Sequence, residues 1–142
     1  MTRLTFEQID EIPYLTENQE VIPHKDVERL EQLIAKTYIP SNAKVLELGA
    51  RYGTVSCVIS TVLDDPKCHV AVEPDTNVLY ALEYNKHTHN GQFQILHGVI
   101  SRTPLKLCFD ENTPYTLKSN DTSQVIPSFT LEEIQEKYNI TF

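Results

Sequence analysis

Apolar residues are concentrated in three short runs through the middle of the chain. Residues 45–48 (VLEL) are almost continuously apolar, which is typical of a strand buried on both faces of a parallel sheet. Residues 70–72 (VAV) predict a second strand, and the apolar positions within 93–100 (FQILHGVI) predict a third. The segments between these runs are long enough to hold a helix each.

Those intervening segments carry apolar residues at helical spacing. Residues 54–63 predict a helix capped by Thr54, and residues 74–84 predict a second helix that is ended by Asn90 and Gly91. The order strand, helix, strand, helix, strand, with short links, indicates parallel strands joined by right-handed crossovers. The predicted fold class is therefore α/β with a Rossmann-like sheet.

The N-terminal part predicts an arm and one helix. Residues 1–22 have scattered apolar positions and predict an irregular or short-helical arm, after which Pro23 and Asp26 open a helix that ends before Pro40. Its apolar face is Val27, Leu30, Leu33 and Ile34, and its water-facing side is Glu28, Arg29, Glu31 and Gln32. We therefore divide the chain into the arm and helix at 1–40 and the α/β domain at 41–142.

The pattern changes after the third strand. Residues 105–109 alternate between apolar and polar, which predicts an antiparallel strand, and residues 110–124 are rich in Asn, Asp, Ser and Thr and predict a loop. Residues 125–126 predict a short strand. The sequence from Thr130 to Glu133 matches a capping box, which predicts a helix that continues to about Tyr138.

Composition limits the possible partners. The 142 residues are 40% hydrophobic and 23% charged, which suits a soluble globular domain. The net charge of −8 argues against nucleic acid as a partner, because phosphate contacts need clustered Lys and Arg. No long apolar run predicts a membrane span, and no signal peptide is recognisable. The three cysteines form no C-x-x-C pair, so free thiols, no metal site and a cytoplasmic location are expected.

A glycine turn follows the first strand. A dinucleotide fingerprint that begins at Gly49 would need glycine at the positions of Arg51 and Thr54, and the arginine would keep the backbone away from a pyrophosphate. Gly49 and Gly53 form G-x-x-x-G instead, which disfavours NAD and FAD and favours S-adenosylmethionine, a cofactor without phosphate. The alternative is a purely structural tight turn. Arg51 is predicted either to bind a substrate carboxylate or phosphate, or to be a solvated loop residue.

Two carboxylates end the first two strands. Glu47 would be costly to desolvate unless a ligand ammonium or the loop amides interact with it, the alternative being a solvated strand end. Glu73 lies about 20 residues beyond the glycine turn, where an acid holds the ribose of a bound nucleoside. Asp75 is predicted to cap the following helix rather than to contact the ligand.

With these residues established, the chain resembles a class I S-adenosylmethionine-dependent methyltransferase. The matching motifs are VLELGARYG at 45–53 and VEPD at 72–75. More narrowly, it is similar to the FkbM-like methyltransferases, because IPSFTLEEI at 126–134 matches the short "TLDEL"-type segment of that family. The resemblance extends from about residue 41 to the C-terminus.

The resemblance implies a Rossmann-like methyltransferase sheet that binds S-adenosylmethionine at the carboxyl ends of its strands. The cofactor-binding residues that it implies are Glu47, Gly49, Ala50, Arg51, Gly53, Glu73 and Pro74. Glu47 and the glycines would line the methionine side, Glu73 would hold the ribose hydroxyls, and Pro74 would shape the adenine side. The implied activity is O-methyl transfer to a hydroxyl group of a small molecule or sugar, with no catalytic residue identified.

In members of that family, the segment that matches residues 130–133 leads into a fourth strand. Residues 139–142 resemble the approach to that strand. We therefore expect the chain to contain the cofactor half of the domain and to leave one edge of the sheet open. A homodimer or a partner chain is expected to cover that edge. The alternative to a methyltransferase is a non-catalytic cofactor-binding or interaction module.

Overall fold

The N-terminal arm contains more regular structure than its sequence predicts. The structure, a computed structural model, describes residues 2–23, 27–108, 116–118 and 125–142. The arm consists of helix α1 (Phe6–Asp10), strands β1 (Tyr14–Leu15) and β2 (Val21–Ile22), and helix α2 (Arg29–Tyr38). The predicted short helix is confirmed, and the antiparallel pairing of β1 with β2 was not predicted. The predicted helix start at Asp26 lies outside the described residues.

The centre of the fold is a parallel three-stranded sheet in the order β3-β4-β5. Its strands are β3 (Val45–Leu48), β4 (His69–Glu73) and β5 (Gln94–His97), and the connecting helices are α3 (Thr54–Val62) and α4 (Leu79–Thr88). This arrangement confirms the predicted α/β class and is compatible with a Rossmann-like fold. Because all three strands are parallel, their carboxyl ends meet along one edge of the sheet.

Short strands and one helix follow the parallel sheet. They are β6 (Val99–Ile100), β7 (Leu105–Cys108), β8 (Thr116–Lys118), β9 (Val125–Ile126), β10 (Ser128–Phe129) and α5 (Leu131–Tyr138). Strand β7 pairs antiparallel with both β8 and β9, and β6 pairs parallel with β10. The predicted antiparallel strand, the short strand at 125–126 and the capping box of α5 are thus confirmed. The predicted loop at 110–124 is wrong for residues 116–118, which form β8. The rest of that segment lies outside the described residues.

Two hydrophobic clusters cover the two faces of the sheet. One joins the arm to α3 and α4 and includes Ile9, Tyr14, Val58, Leu82 and Phe93. The other packs α5 and the residues after it against the opposite face and includes Val70, Val72, Leu96, Ile134 and Ile140. The arm therefore shares a core with the α/β unit, and the division at residue 40 stays a prediction.

The predicted orientation of α2 is wrong. The helix buries Gln32 and Ala35, while Leu30 is 72% exposed and Ile34 is 58% exposed. Gln32 is buried because its side-chain amide donates a hydrogen bond of 2.9 Å to the carbonyl of Thr54, the first residue of α3. A polar side chain with such a partner is stable inside a core.

Three local predictions are also corrected. The N-cap of α3 is Gly53 in the left-handed conformation, so Thr54 does not cap this helix. Helix α4 begins at Leu79 rather than near Pro74, because the intervening residues form turns. The third strand is interrupted at Gly98, and the β6 segment beyond it pairs with β10 instead of continuing the sheet. The predicted end of α4 at Asn90 is confirmed by its φ of +51°.

Within the described residues, β3 pairs only with β4 and leaves its other edge without a strand. Leu48 at the end of β3 is 62% exposed, so the prediction that this strand is buried on both faces is wrong. An open apolar groove runs between β3, α2 and α3 and includes Ile34, Val45 and Val55. Of the helices in the described parts of the chain, none has the length and apolar character to cross a membrane.

Candidate functional site

A cleft of about 520 Å³ lies at the carboxyl ends of the parallel strands. Leu48 and Gly49 border it at the end of β3, Glu73 at the end of β4, and Gly98 and Val99 beyond β5. The cleft therefore crosses all three strand ends in the order of the sheet. Such a position is where open α/β sheets bind ligands, and the volume is within the usual range for small-molecule pockets.

Glu73 is a buried polar residue of the cleft whose carboxylate is held by two hydrogen bonds. The residue is only 5% exposed. Its two carboxylate oxygens accept hydrogen bonds from the backbone amides of Arg51, at 2.6 Å, and Asp75, at 2.8 Å. Burial raises the pKa of Glu73, and the two amide donors act in the opposite direction. The two amides fix the orientation of this carboxylate at the middle of the cleft.

The glycine turn between β3 and α3 requires unusual backbone angles. Gly49 and Gly53 both have φ of +80°, a region that side-chain-bearing residues rarely adopt. A Cβ at Gly53 would lie 2.7 Å from Leu82, whereas a Cβ at Gly49 would have no neighbour within 4 Å among the described residues. Gly53 is therefore required by packing as well as by backbone conformation, whereas Gly49 borders the cleft.

Arg51 is held by the N-terminal arm. Its guanidinium donates a hydrogen bond of 2.9 Å to the hydroxyl of Tyr52 and lies over that ring at 4.5 Å. The Tyr52 hydroxyl in turn donates to the carboxylate of Glu17, on the turn between β1 and β2. Burial, together with this hydrogen bond, raises the pKa of Tyr52 to about 12, and the same bond lowers the pKa of Glu17. The three side chains form a chain of contacts from the arm to the cleft.

Glu28 also lines the cleft, and sequence reasoning did not identify it as a site residue. It lies immediately before α2 with φ of +55°, and its carboxylate accepts a hydrogen bond from the hydroxyl of Thr54. The helical pattern predicted a water-facing side chain. No local signal in the sequence distinguishes it from the other acids nearby, because its position depends on contact with α3.

Glu47 faces the helix side of the sheet. Its carboxylate accepts hydrogen bonds from Ser56 at 2.6 Å and from the buried ring of His69 at 2.9 Å. Neither Glu47 nor Ala50 nor Gly53 is among the described residues that line the cleft. Their cofactor contacts stay predictions that the geometry of the cleft does not support directly.

The remaining predicted site residues do meet in the cleft. Gly49, Arg51, Glu73 and Pro74 all line it, together with Asp75. Asp75 is buried and its carboxylate accepts a hydrogen bond of 2.9 Å from the Asn77 amide, so it stabilises the turn before α4 rather than capping the helix itself.

Acidic groups outnumber basic groups in the cleft. Its charged lining residues within the described chain are Glu28, Arg51, Glu73 and Asp75, and apolar side chains such as Val72 and Val99 make up much of the remaining wall. The described residues contain no group of three or more His, Cys, Asp or Glu side chains that could hold a metal ion. Such a cleft favours a ligand with hydroxyl groups, positive charge and an apolar ring.

No protein-family model matches the chain, and no curated protein sequence matches it either. The geometry of the cleft and the sequence motifs are therefore what indicate the function of the chain.

Proposed function

We propose that the chain binds S-adenosylmethionine in the cleft and belongs to the FkbM-like class I methyltransferases. The observation that carries this is the Glu73 carboxylate, buried at the end of the middle strand and oriented by two backbone amides. A carboxylate at this place is suited to accept hydrogen bonds from the two adjacent hydroxyls of a ribose. The glycine turn at the end of the neighbouring strand leaves room for the rest of the ligand.

The order of residues along the cleft suits a nucleoside with an attached amino acid. Neighbouring strands lie about 4.8 Å apart, so three strand ends span roughly 10 Å. The ribose would bind Glu73 at the centre, and the adenine ring would bind the apolar wall beyond it, formed by Pro74 and Val99. The methionine part would bind on the β3 side, beside Gly49.

The charges favour this ligand over a dinucleotide. Three acids and one guanidinium line the cleft within the described chain. A pyrophosphate would be repelled by this balance, whereas a sulfonium is attracted. The backbone at Arg51 also carries a side chain where the dinucleotide fingerprint needs glycine.

The proposed reaction is methyl transfer to a hydroxyl of a small molecule or sugar. S-adenosylmethionine supplies a methyl group that its sulfonium already activates. The contribution of the chain is to hold the donor in a fixed orientation and to exclude water with the apolar walls of the cleft, so that an acceptor hydroxyl reacts at close range.

Isothermal titration of the purified chain with S-adenosylmethionine, S-adenosylhomocysteine and NAD tests the binding. We expect micromolar dissociation constants for the first two and none measurable for NAD. Glu73→Ala should weaken binding about tenfold or more, because hydrogen bonds to a charged group contribute about 1.5–3 kcal/mol. Glu83→Ala, at an exposed acid on α4, is the matched control and should bind normally. A folded chain that binds neither adenosyl compound would overturn the proposed function.

We also infer that a second copy of the chain covers the open side of the sheet. The edge of β3 and the exposed apolar stripe of Leu30, Ile34 and Tyr38 on α2 lie next to each other, and a two-fold contact would bring the stripe against itself. Sedimentation should then show a species heavier than the 16.3 kDa monomer. Ile34→Glu should yield the monomer, whereas Tyr80→Glu, at an exposed residue of α4, should not. A monomeric wild type would exclude this contact.

A further inference from the structure

We propose that a pH-sensitive clasp holds the N-terminal arm against the α/β unit. The clasp consists of the His89 ring and the backbone carbonyls of Asn85 and Ile12. Its ring is a buried imidazolium in the folded chain, and loss of one ring proton at alkaline pH loosens the link between α1 and β1. His89 is not among the described residues that line the cleft, so the clasp does not rest on the proposed function.

Both ring nitrogens of His89 lie at hydrogen-bond distance from carbonyl oxygens. Nδ1 lies 2.8 Å from the carbonyl of Asn85 on α4, and Nε2 lies 3.0 Å from the carbonyl of Ile12, between α1 and β1. A carbonyl oxygen only accepts hydrogen bonds, and a neutral imidazole has a single N–H donor. Turning the ring over would place carbon atoms against both carbonyls. Both contacts are therefore hydrogen bonds only when both nitrogens carry a proton.

The surroundings of the ring also favour the charged form. Burial opposes it, since His89 is only 2% exposed. His89 follows the last residue of α4, however, at the end where the helix dipole is negative. Its ring stacks on that of Tyr14, with centroids 4.0 Å apart, and the face of an aromatic ring attracts a cation. A neutral ring would instead bring a nitrogen lone pair against one of the two carbonyls inside the core.

Among the described residues, the ionisable groups nearest to the ring supply no charge of their own. Tyr14 on β1 and Cys57 on α3 are buried, and burial raises the pKa of both, so both are neutral at physiological pH. Asp10 on α1 is paired with Arg29. The other ionisable groups on α4 and at the end of α1 that are closest in sequence to the clasp are Lys86, which lies over the ring of Phe93, and the exposed His87 and Glu11.

One helical turn before His89, Asn85 makes a second connection to the arm that does not titrate. Its buried side-chain oxygen accepts a hydrogen bond of 2.9 Å from the amide of Leu15. Its amide group donates to the carbonyls of Leu15 and Tyr52, also at 2.9 Å. Loss of the proton from His89 would remove one connection and leave the other. The arm is then loosened at Ile12 while β1 stays attached to α4.

Nitrogen NMR of the histidine rings in the full chain tests the charge directly. At pH 7.5 His89 should show two protonated ring nitrogens, with the exposed His87 as the internal reference, because an ordinary histidine titrates near 6.5. At higher pH the backbone amide signals of Ile12, Tyr14 and Leu15 should shift with the same midpoint as the His89 ring, and those of α5 should not. A neutral His89 ring at pH 7.5 would overturn the proposal. A ring that titrates without a change in the arm would overturn it as well.

Urea denaturation of His89→Gln provides a second test, with His87→Gln as the matched control at an exposed histidine. The folded chain keeps the His89 proton to higher pH than the unfolded chain, so it binds more protons above about pH 6.5. The stability that the charged ring contributes is therefore present at low pH and lost as the pH rises.

The unfolding constant of His89→Gln, divided by that of the wild type, should consequently fall by up to about tenfold per pH unit above pH 6.5. The same ratio for His87→Gln should not vary over this range. A ratio for His89→Gln that is constant or that increases with pH would overturn the clasp. If this variant does not fold, the spectra of the wild type decide between the two outcomes.

Discussion

Glu73 occupies a buried position that is costly for a charged group, and the cost is visible as a raised pKa. The unfolded chain releases this proton near the ordinary value of 4.5, and the folded chain releases it at higher pH. The folded state therefore binds more protons in the window between the two values. The free energy of unfolding that protonated Glu73 contributes at low pH is therefore lost as the pH rises through the pKa of Glu73 in the folded chain.

This leads to a prediction for Glu73→Gln. The free energy of unfolding of the wild type, relative to that of the variant, should fall as the pH rises above 4.5 and become constant once Glu73 is ionised in the folded chain. Urea denaturation of both proteins at a series of pH values measures this difference. The changed hydrogen bonding of the amide adds only an offset that does not vary with pH, so a flat difference across the window would contradict the assignment.

The affinity for S-adenosylhomocysteine should change in the opposite direction over the same pH window. Only the ionised carboxylate can accept hydrogen bonds from both ribose hydroxyls while it also accepts two backbone amides. We therefore expect binding to strengthen as the pH rises through the folded pKa of Glu73. Titration calorimetry at several pH values tests this, and affinity that weakens with increasing pH would contradict it.

At Tyr52 a single hydroxyl joins Glu17 to Arg51. Tyr52→Phe should reduce the free energy of unfolding by about 0.5–1.5 kcal/mol, since it removes one hydrogen-bonding group. It should also weaken the binding of S-adenosylhomocysteine, because Arg51 lines the cleft and loses its hydrogen bond to the Tyr52 hydroxyl. Leu15→Ala, at a half-buried residue of the hairpin that carries Glu17, is a control for stability alone and should leave the affinity for S-adenosylhomocysteine unchanged.

Among the structural elements, the glycine turn offers a matched pair of substitutions. Gly49→Ala and Gly53→Ala impose the same strain, about 1–2 kcal/mol for a left-handed residue, because both positions have φ of +80°. Gly53→Ala also places its new Cβ 2.7 Å from Leu82, so this variant should cost about 1–3 kcal/mol more.

Chemical denaturation of the two glycine variants measures that difference. Gly49→Ala is expected instead to reduce ligand affinity, since the glycine borders the cleft and, in the part of the chain that the structure describes, no atom lies within 4 Å of the added Cβ. Equal losses of stability in the two variants would show that packing against Leu82 is not what requires Gly53.

The elements that could be predicted from the sequence are those determined by their own residues. Strand β3 follows from its apolar run, and α5 begins where Thr130 and Glu133 form a capping box. The orientation of α2 could not be predicted, because a helical pattern identifies an apolar face but not the neighbour that covers it. Gln32 is buried through a partner 22 residues away in the chain.

The residues of the candidate site also differ in whether local sequence or a distant partner determines their position. Glu73 could be predicted because its position at the end of a strand is a local property of the chain. Glu28 could not, since it reaches the cleft only after α2 packs against α3. For Glu47 the local pattern indicated a ligand contact that the cleft does not show. Successive residues of a strand point to opposite faces of the sheet. The side chain of Glu47 lies on the face where it contacts Ser56 and His69.

For the whole molecule, the face of the sheet opposite α3 depends on one short helix. Ile134 is the one residue of α5 that is fully enclosed, and it packs with Val70, Val72 and Leu96. Ile134→Ala should therefore lower the free energy of unfolding by about 2–5 kcal/mol. Leu131→Ala, at a residue of the same helix that is 39% exposed, should cost less than half as much. Thermal denaturation compares the two, and similar losses would show that α5 does not anchor this face.

The hairpin of β1 and β2 carries a consequence for how the protein could be switched off. Residues 17–20 at its tip are exposed, the kind of site where proteases cut. A cut between Asn18 and Gln19 would leave the parallel sheet covalently whole but would open the turn that positions Glu17. Tyr52 would then lose its contact with Glu17, and Arg51 would be held less firmly, so a single cut in an exposed hairpin would loosen one wall of the cleft and weaken ligand binding.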